Sequence, residues 1–131
     1  MFEPDFVTSD THDIVISACQ AMMEDESGLC GYYMRIENNS DDKIQLLSKN
    51  FNITDDQGNR YFDFGFGFKG ELPELNPGEY FEFENVAPAF AGSAVLYGSC
   101  RIVKEKNNQV EDIALPALEL FSNQVNRFIL N

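Results

Sequence analysis

One stretch decides the fold: Gly65-Phe66-Gly67-Phe68-Lys69-Gly70, which continues as Glu71-Leu72-Pro73-Glu74-Leu75-Asn76-Pro77-Gly78. Its first six residues match the G-x-G-x-x-G pattern of dinucleotide-binding loops. That pattern binds a pyrophosphate only when a helix follows, because the helix N-terminus then presents free N–H groups. Two prolines and a Pro-Gly turn follow here instead, and they suit a helix poorly. The stretch therefore predicts extended chain and a turn, and it argues against a dinucleotide-binding α/β domain.

Outward from this stretch, strand-like segments alternate with turns along the chain. Predicted strands cover residues 12–22, 30–37, 43–54, 60–68, 80–84, 94–103 and 109–118. Several of them alternate apolar and polar residues with a period of two, as strands with one buried face do. Because no helical segments come between them, we predict an all-β sandwich or barrel.

Two local features of these segments can be checked. In residues 43–54, Ile44 and Leu46 are out of phase with Phe51 and Ile53, which predicts a β-bulge near residues 48–50. The run Asp55-Asp56-Gln57-Gly58-Asn59 resembles a calcium loop but misses the EF-hand register. It fits a tight hairpin turn with Gly58 at positive φ better than a metal site, and a turn is our prediction.

The segment 60–68 has one bulky side and one bare side. Four aromatic residues share the bulky side: Phe62, Phe64, Phe66 and Phe68. The opposite side carries Asp63, Gly65 and Gly67. Either a neighbouring segment packs closely against the bare side, or a ligand rests there on exposed amides. The candidates for binding a ligand or a partner are therefore Gly65, Gly67, Lys69 and Gly70.

After Pro116 the apolar residues take the spacing of a helix. The apolar stripe consists of Leu118, Phe121, Val125, Phe128 and Ile129. Ser122 can cap a helix here, so we predict a short C-terminal helix. Its apolar side either closes one end of the fold or contacts a second subunit in a homodimer. We assign residues 1–131 to a single domain with a core over residues 12–120, and residues 121–131 to a tail or short helix.

The chain is strongly acidic. Its 131 residues include 22 acidic and 9 basic ones, which gives a formal net charge of -13. This charge repels phosphate backbones and anionic lipid surfaces, so we expect neither nucleic acid nor a membrane as a partner. A basic protein partner is compatible with it.

The cysteines and the N-terminal residues favour a cytoplasmic protein. Cys19, Cys30 and Cys100 are odd in number and widely spaced, which suggests neither a disulfide framework nor a zinc site. No apolar run approaches the ~20 residues that span a bilayer. Glu3 and Asp5 stand where a signal peptide needs positive charge.

Residues that could form a catalytic site are scarce. His12 is the only histidine, and it is near no nucleophile or metal-ligand pattern. The cysteines have no histidine beside them in sequence to activate them. Glu82 and Glu84 alternate with aromatic residues, as on the solvated face of any acidic strand. We therefore predict no catalytic residues, no metal site and no cofactor.

Six motifs carry a resemblance to a known family: Tyr33-Met34-Arg35-Ile36-Glu37-Asn38, Ile44-Gln45-Leu46-Leu47-Ser48-Lys49, Asp55-Asp56-Gln57-Gly58, Gly65-x-Gly67-x-x-Gly70, Pro73-x-Leu75-x-Pro77-Gly78 and Leu115-Pro116. In this order they resemble the ApaG family over residues 13–120. The resemblance implies a two-sheet antiparallel β-sandwich of the immunoglobulin or fibronectin type III kind. The chain is identified as a divergent member, because Asn50-Phe51 replaces the usual histidine and tryptophan, and Phe68-Lys69 replaces two small apolar residues.

The resemblance implies a binding role rather than catalysis. ApaG-like proteins have no settled enzymatic activity, and bacterial members look linked to divalent-cation tolerance. Eukaryotic relatives carry the domain beside an F-box or in a polymerase-interacting protein. We therefore predict a non-enzymatic protein-interaction module with a link to divalent-cation homeostasis. The alternatives are a protein that binds phosphate or pyrophosphate at residues 65–70, and metal binding through the acidic turns.

Overall fold

A computed structural model describes residues 5–21 and 29–122 of the chain. This part contains ten strands and no helix. The strands are β1 (Val7–Thr11), β2 (Ile14–Ala21), β3 (Gly31–Asn38), β4 (Ile44–Asp55), β5 (Arg60–Phe66), β6 (Glu74–Leu75), β7 (Tyr80–Val86), β8 (Ser93–Lys104), β9 (Val110–Ala114) and β10 (Leu118–Phe121). The same residues hold no helix of the length and apolar character that crossing a bilayer requires.

The strands form two antiparallel sheets. The four-stranded sheet has the order β1-β2-β3-β7, and the six-stranded sheet has the order β10-β8-β4-β5. In the second sheet, β6 pairs with β4 and β9 pairs with β8. The prediction of an all-β sandwich of two stacked sheets is confirmed. Residues 65–70 end β5 and enter a tight turn over residues 68–71, without a following helix, and the dinucleotide-binding fold is excluded.

The core lies between the two sheets because the inward positions of the strands are apolar at a period of two. In β2, for example, Ile14, Ile16 and Ala18 are all buried. Aromatic rings contribute contacts between the layers: the rings of Phe51 in β4 and Phe83 in β7 stack with centroids 6.3 Å apart. These interdigitated side chains give the sandwich a single continuous core.

Both local predictions about β4 and its hairpin are confirmed. The register between β4 and β8 shifts between Leu46 and Ser48, immediately before the predicted bulge position. The turn after β4 closes a hairpin with β5, and Gly58 has a φ of 85°. The Asp55 carboxylate accepts hydrogen bonds from the backbone and side-chain amides of Asn59 at 2.8 and 3.1 Å. The acidic turn is therefore stabilised by hydrogen bonds of its own.

Three short strands are not anticipated by the sequence pattern. β1 precedes the predicted first strand, and a two-residue turn at His12 and Asp13 joins it to β2. Both turn residues have positive φ, 51° and 69°, which suits the right-handed twist of the hairpin. The predicted first strand therefore begins two residues too early, because β2 begins at Ile14. β6 and β10 are the other two strands.

The prediction of a C-terminal helix is wrong for the first two residues of its apolar stripe, Leu118 and Phe121. Leu118 and Phe121 belong to β10, which pairs with β8. Leu118 and Leu120 are buried and alternate with exposed Glu119 and Phe121, so the period here is that of a strand. The rest of the predicted tail or short helix, residues 123–131 of 121–131, lies outside the described residues.

Candidate functional site

The glycine motif forms the end of an edge strand followed by a tight turn. β5 ends at Phe66, and Gly67 then takes a φ of 87°. The backbone N–H of Phe68 donates to the carbonyl of Glu71 at 2.8 Å, and the return bond from Glu71 measures 3.0 Å. Lys69 and Gly70 are the two central residues of this turn, with φ values of 54° and 80°. The motif thus connects β5 to the loop that leads to β6.

The candidate glycines differ in their surroundings. A Cβ on Gly67 would lie 3.2 Å from the carbonyl oxygen of Glu71, so this glycine permits a close backbone approach. A Cβ on Gly65 or Gly70 would meet nothing within 4 Å. Close packing therefore accounts for Gly67, and it does not account for Gly65 or Gly70.

Two of the amides that would hold an anion are already engaged. The N–H of Gly67 donates to the carbonyl of Leu47 at 2.7 Å, and the N–H of Phe68 closes the turn with Glu71. Lys69 is exposed and makes no ion pair with the described residues. The backbone here lacks the row of free N–H groups that a helix N-terminus offers a phosphate.

The prediction that four phenylalanines share one face is wrong for Phe68. Phe68 is fully buried, because the positive φ of Gly67 turns the chain and directs the next side chain into the core. Phe62, Phe64 and Phe66 point to solvent, with 59%, 57% and 86% of their surface exposed. We call these three residues the phenylalanine stripe. The bulky side of β5 is therefore the open one.

The phenylalanine stripe lies on the outer face of the six-stranded sheet, at its edge. Its cross-strand neighbours on β4 are short and polar: Asn52, Asn50 and Ser48. The rings of Phe62 and Phe64 contact each other with centroids 5.2 Å apart. The three rings are not part of the hydrophobic core, and each is more than half exposed. Adjacent exposed aromatic residues of this kind commonly mark an interaction surface.

The opposite side of β5 borders a cleft between the two sheets. The Lys49 ammonium lies 3.1 Å from the Asp63 carboxylate, and the Lys49 side chain is largely buried. The cleft has a volume of about 270 Å³ and also contacts Tyr32, Tyr61 and Asn85. Burial raises the pKa of Tyr32 to about 12, although its hydroxyl accepts a hydrogen bond from the Asn85 amide at 3.3 Å. The cleft therefore combines apolar walls with a paired cation and anion.

A second ion pair lies beside the phenylalanine stripe on the outer face. Arg101 donates two hydrogen bonds to Asp112, at 2.9 and 3.2 Å, and these bonds lower the pKa of Asp112. The pair lines a shallow depression of about 350 Å³ together with Phe64, Asn50 and other residues of β4 and β8. Both ion pairs join residues on neighbouring strands. The sequence alone does not reveal such pairs because they depend on the register of the sheet.

The residues considered for catalysis are dispersed. His12 lies in the turn after β1 and contacts the Glu111 carboxylate, while the Tyr33 hydroxyl donates to Glu82. All three cysteines are buried, and burial raises the pKa of Cys30 to about 11 and that of Cys100 to about 12. In residues 5–21 and 29–122, no three histidine, cysteine or carboxylate side chains cluster as metal ligands would.

Comparison with known proteins identifies one family in sequence. The family model for the ApaG domain matches residues 20–104. Protein ApaG from Mesorhizobium japonicum is 33% identical over 116 residues, which cover 84% of this chain and 88% of the relative. Protein ApaG from Beijerinckia indica is 36% identical over 105 residues, which cover 78% of this chain and 80% of the relative.

Solved structures share the fold. The structure of a protein from Bordetella pertussis described as ApaA superposes with a TM-score of 0.77 at 24% identity, and covers 88% of this chain and 98% of that one. A structural-genomics target gives a TM-score of 0.78 at 19% identity, with 89% and 92% covered. At these sequence identities the two structures are evidence for a shared fold only. The domain match and the relatives at 33% and 36% identity show that this chain belongs to the ApaG family.

Proposed function

We propose that the chain is a non-enzymatic protein-interaction module whose binding surface is the phenylalanine stripe with the adjoining residues 65–70. The observation that carries this proposal is the exposure of Phe62, Phe64 and Phe66, each more than half accessible to solvent. Removing apolar surface from water favours association. Three neighbouring rings on one strand therefore offer an aromatic anchor of the kind that dominates protein interfaces.

The dispersal of polar groups supports a binding role over catalysis. A general base must lie within hydrogen-bonding reach of the group that it activates, and a thiol must ionise to attack. Within the described residues, the His12 side chain contacts the Glu111 carboxylate, and burial disfavours the thiolate forms of the three cysteines. The three buried thiols are also suited to a reducing cytoplasm.

A link to divalent-cation homeostasis would act through a partner protein. The described residues contain no cluster of three metal-ligating side chains, and the hydrogen bonds of the Asp55 turn occupy its carboxylate. The module would therefore recognise a protein that handles the ion. Its own residues would supply the docking surface.

Site-specific photocrosslinking in living cells tests this function. A photoreactive phenylalanine analogue is placed at Phe64 in one variant and at Val110 in the control. Both positions are about equally exposed, at 57% and 52%, and both lie on strands of the six-stranded sheet. We expect discrete protein adducts from position 64 and only background from position 110. Equal adducts from both positions, or none from position 64, would refute the proposal.

Titration with pyrophosphate or ATP separates this function from anion binding. Because the N–H groups of Gly67 and Phe68 are engaged, we expect no measurable heat in calorimetry, with or without magnesium. A saturable signal that disappears in Lys69→Ala would instead support the small-anion hypothesis.

A further inference from the structure

We propose that the phenylalanine stripe binds a second copy of this chain, through antiparallel pairing of β5 with β5 about a twofold axis at Phe64. The inference rests on the proposed function and names the partner of the same surface. It follows from four properties of β5: an open edge, the direction of its backbone groups, aromatic residues placed symmetrically about Phe64, and a glycine opposite an acidic residue.

The first property is that β5 is an unprotected edge strand. It pairs with β4 on one side, and no described strand lies on its other side. Its seven residues, Arg60–Phe66, contain neither proline nor lysine, and Gly65 departs from regular strand geometry with a φ of 145°. The neighbouring edge β7 carries Glu82 and Glu84, the kind of charged side chains that discourage edge-to-edge pairing. Of these two edges, β5 is the one open to an added strand.

The second property is the direction of the backbone groups. At the two ends of the β4–β5 ladder, the N–H of Asp55 donates to Asn59 at 2.9 Å and the N–H of Gly67 donates to Leu47 at 2.7 Å. Hydrogen-bonded pairs alternate with non-hydrogen-bonded pairs along an antiparallel ladder. The odd-numbered residues of β5 therefore direct their backbone N–H and C=O groups toward β4. The even-numbered residues, which include the phenylalanine stripe, therefore direct their N–H and C=O groups to the open edge.

The third property is that the aromatic residues of Phe62-Asp63-Phe64-Gly65-Phe66 are symmetric about Phe64. Antiparallel pairing about Phe64 places Phe64 opposite Phe64 of the second copy, and Phe62 opposite Phe66 of the second copy. These are the positions whose backbone groups point outward, so each forms a hydrogen-bonded pair. Cross-strand aromatic pairs of this kind stabilise sheets. One register thus satisfies the backbone and joins all three rings.

The fourth property is the space that Gly65 leaves opposite an acidic residue. In this register, Asp63 of the second copy lies opposite Gly65, and Gly65 lies opposite Lys49 of β4 in the same chain. Gly65 has no side chain, and a Cβ there would meet nothing within 4 Å. Gly65 therefore leaves room for the Asp63 carboxylate of the second copy, on the same side of the sheet as Lys49, whose ammonium contacts Asp63 of its own chain at 3.1 Å. A register centred on Asp63 would instead place two carboxylates directly opposite each other, which destabilises a strand pair.

The phenylalanine stripe alone supplies less area than a standard protein interface. With roughly 200 Å² for a phenylalanine side chain, the exposed parts of the stripe amount to about 400 Å² per copy. A standard interface takes about 800 Å² from each partner, so the strand backbone and flanking residues such as Arg60 must supply the rest. Each copy also carries a net charge of -13, so added salt should strengthen the dimer by screening the repulsion.

Sedimentation velocity of charge variants at Phe64 tests the dimer and its register together. The wild-type chain is measured from low to high micromolar concentration beside Phe64→Glu, Phe64→Lys and the matched surface control Val110→Glu. We expect the wild type and Val110→Glu to dimerise, and both Phe64 variants to stay monomeric because like charges meet at the twofold axis. An equimolar mixture of Phe64→Glu and Phe64→Lys should form a one-to-one dimer. Circular dichroism confirms that each variant is folded.

Each contrary outcome overturns a defined part of the inference. A wild-type monomer at all concentrations refutes the second copy as partner, although protein adducts from position 64 in cells would leave the proposed function intact. Equal dimerisation of Phe64→Glu and wild type, or no dimer in the mixture, refutes pairing about Phe64. A dimer that forms only after removal of residues 123–131 would assign the stripe to the chain's own C-terminal segment and overturn the inference.

Discussion

At the scale of single residues, Gly67 determines the geometry of the candidate surface. Its φ of 87° ends the alternation of β5, so that Phe66 is the last aromatic side chain on the outer face and Phe68 enters the core. Inside the core, the ring of Phe68 lies 5.7 Å from that of Phe83 and 6.5 Å from that of Phe51. Two phenylalanines separated by one glycine residue thus have opposite roles.

The stabilities of Phe66→Ala and Phe68→Ala should differ accordingly. Loss of the buried Phe68 ring should lower the free energy of unfolding by about 3–5 kcal/mol, since it leaves a cavity in the core. Phe66 is 86% exposed, so its replacement should change stability by no more than about 0.5 kcal/mol. Urea unfolding at low protein concentration measures both. Equal effects would mean that residues 66–68 continue as a regular strand.

Asp55 should make stability depend on pH. Burial alone would raise its pKa, but hydrogen bonds from the side chain and backbone of Asn59 and the backbone of Gln57 bring it below its ordinary value of 3.8. A carboxylate with a lowered pKa contributes stability that is present above its unfolded-state pKa and is lost as the pH falls through the folded one. As the pH is lowered below about 4, the urea midpoint of the wild type should therefore decrease. The decrease should be smaller in Asp55→Asn, which lacks the titrating carboxylate.

The exposed Asp41 provides the control for this pH profile. Asp41→Asn removes the same charge without altering the turn after β4. Its profile should follow that of the wild type, with the midpoint falling over the same range. If Asp41→Asn and Asp55→Asn gave the same profile, the hydrogen bonds of the turn would not be the source of the dependence.

At the scale of elements, the close approach of β4 and β8 shapes the centre of the six-stranded sheet. Gly98 of β8 lies opposite Phe51 in the ladder. A Cβ on Gly98 would lie 1.9 Å from the carbonyl oxygen of Asn50, a distance that no side chain can accept. The register shift near Leu46 lies in the same pair of strands. The close approach of β4 and β8 therefore requires glycine at position 98.

Gly98→Ala should be much more damaging than Gly78→Ala. Both glycines have positive φ, 134° and 89°, but a Cβ on Gly78 would meet nothing within 4 Å. Gly78→Ala should cost about 1 kcal/mol for the backbone conformation alone. Gly98→Ala should cost about 3 kcal/mol, at the upper end for overpacking. Thermal and urea unfolding of the two variants measure the difference, and similar losses would contradict the close approach of β4 and β8.

The sequence predicts a strand well where one of its faces is buried and the apolar residues alternate. It predicts a strand poorly where only pairing with a neighbouring strand decides the structure. The bulge in β4 could be predicted because Leu46 and Phe51 are both apolar and out of phase. β10 could not, since Leu118 and Phe121 also fit a helical spacing and only pairing with β8 decides between them. The exposure of the phenylalanine stripe was likewise hidden, because alternation does not say which face of an edge strand meets solvent.

At the scale of the whole molecule, the fold is predictable from the absence of a helix after Gly70 and from strands separated by turns. The candidate surface is less predictable, because it depends on the position of β5 at the end of a sheet. Strand order arises from pairings distant in sequence, such as that of β3 with β7. A single sequence shows the apolar period of each strand. Which strands pair with each other depends on how the whole chain folds into two stacked sheets.

Net charge gives the last prediction for the whole molecule. With 22 acidic and 9 basic residues, the folded chain repels itself, and the repulsion is long-ranged. Exposed ion pairs such as Arg101–Asp112, with both side chains 53% accessible, oppose it only weakly. Salt shortens the Debye length to about 10 Å at 0.1 M and so reduces the repulsion. The urea midpoint of the monomer should therefore rise when sodium chloride is added at neutral pH.

A variant of β7 provides a control for this salt effect and identifies its source. Glu82→Gln with Glu84→Gln removes two negative charges from the outer face of the four-stranded sheet, where Glu37 also lies. The salt-dependent rise in the urea midpoint should be smaller in this variant than in the wild type. A midpoint that falls with salt in the wild type would mean that attraction within ion pairs outweighs the net repulsion. Stability would then depend on local pairs such as Lys49–Asp63, whose lysine is largely buried, more than on total charge.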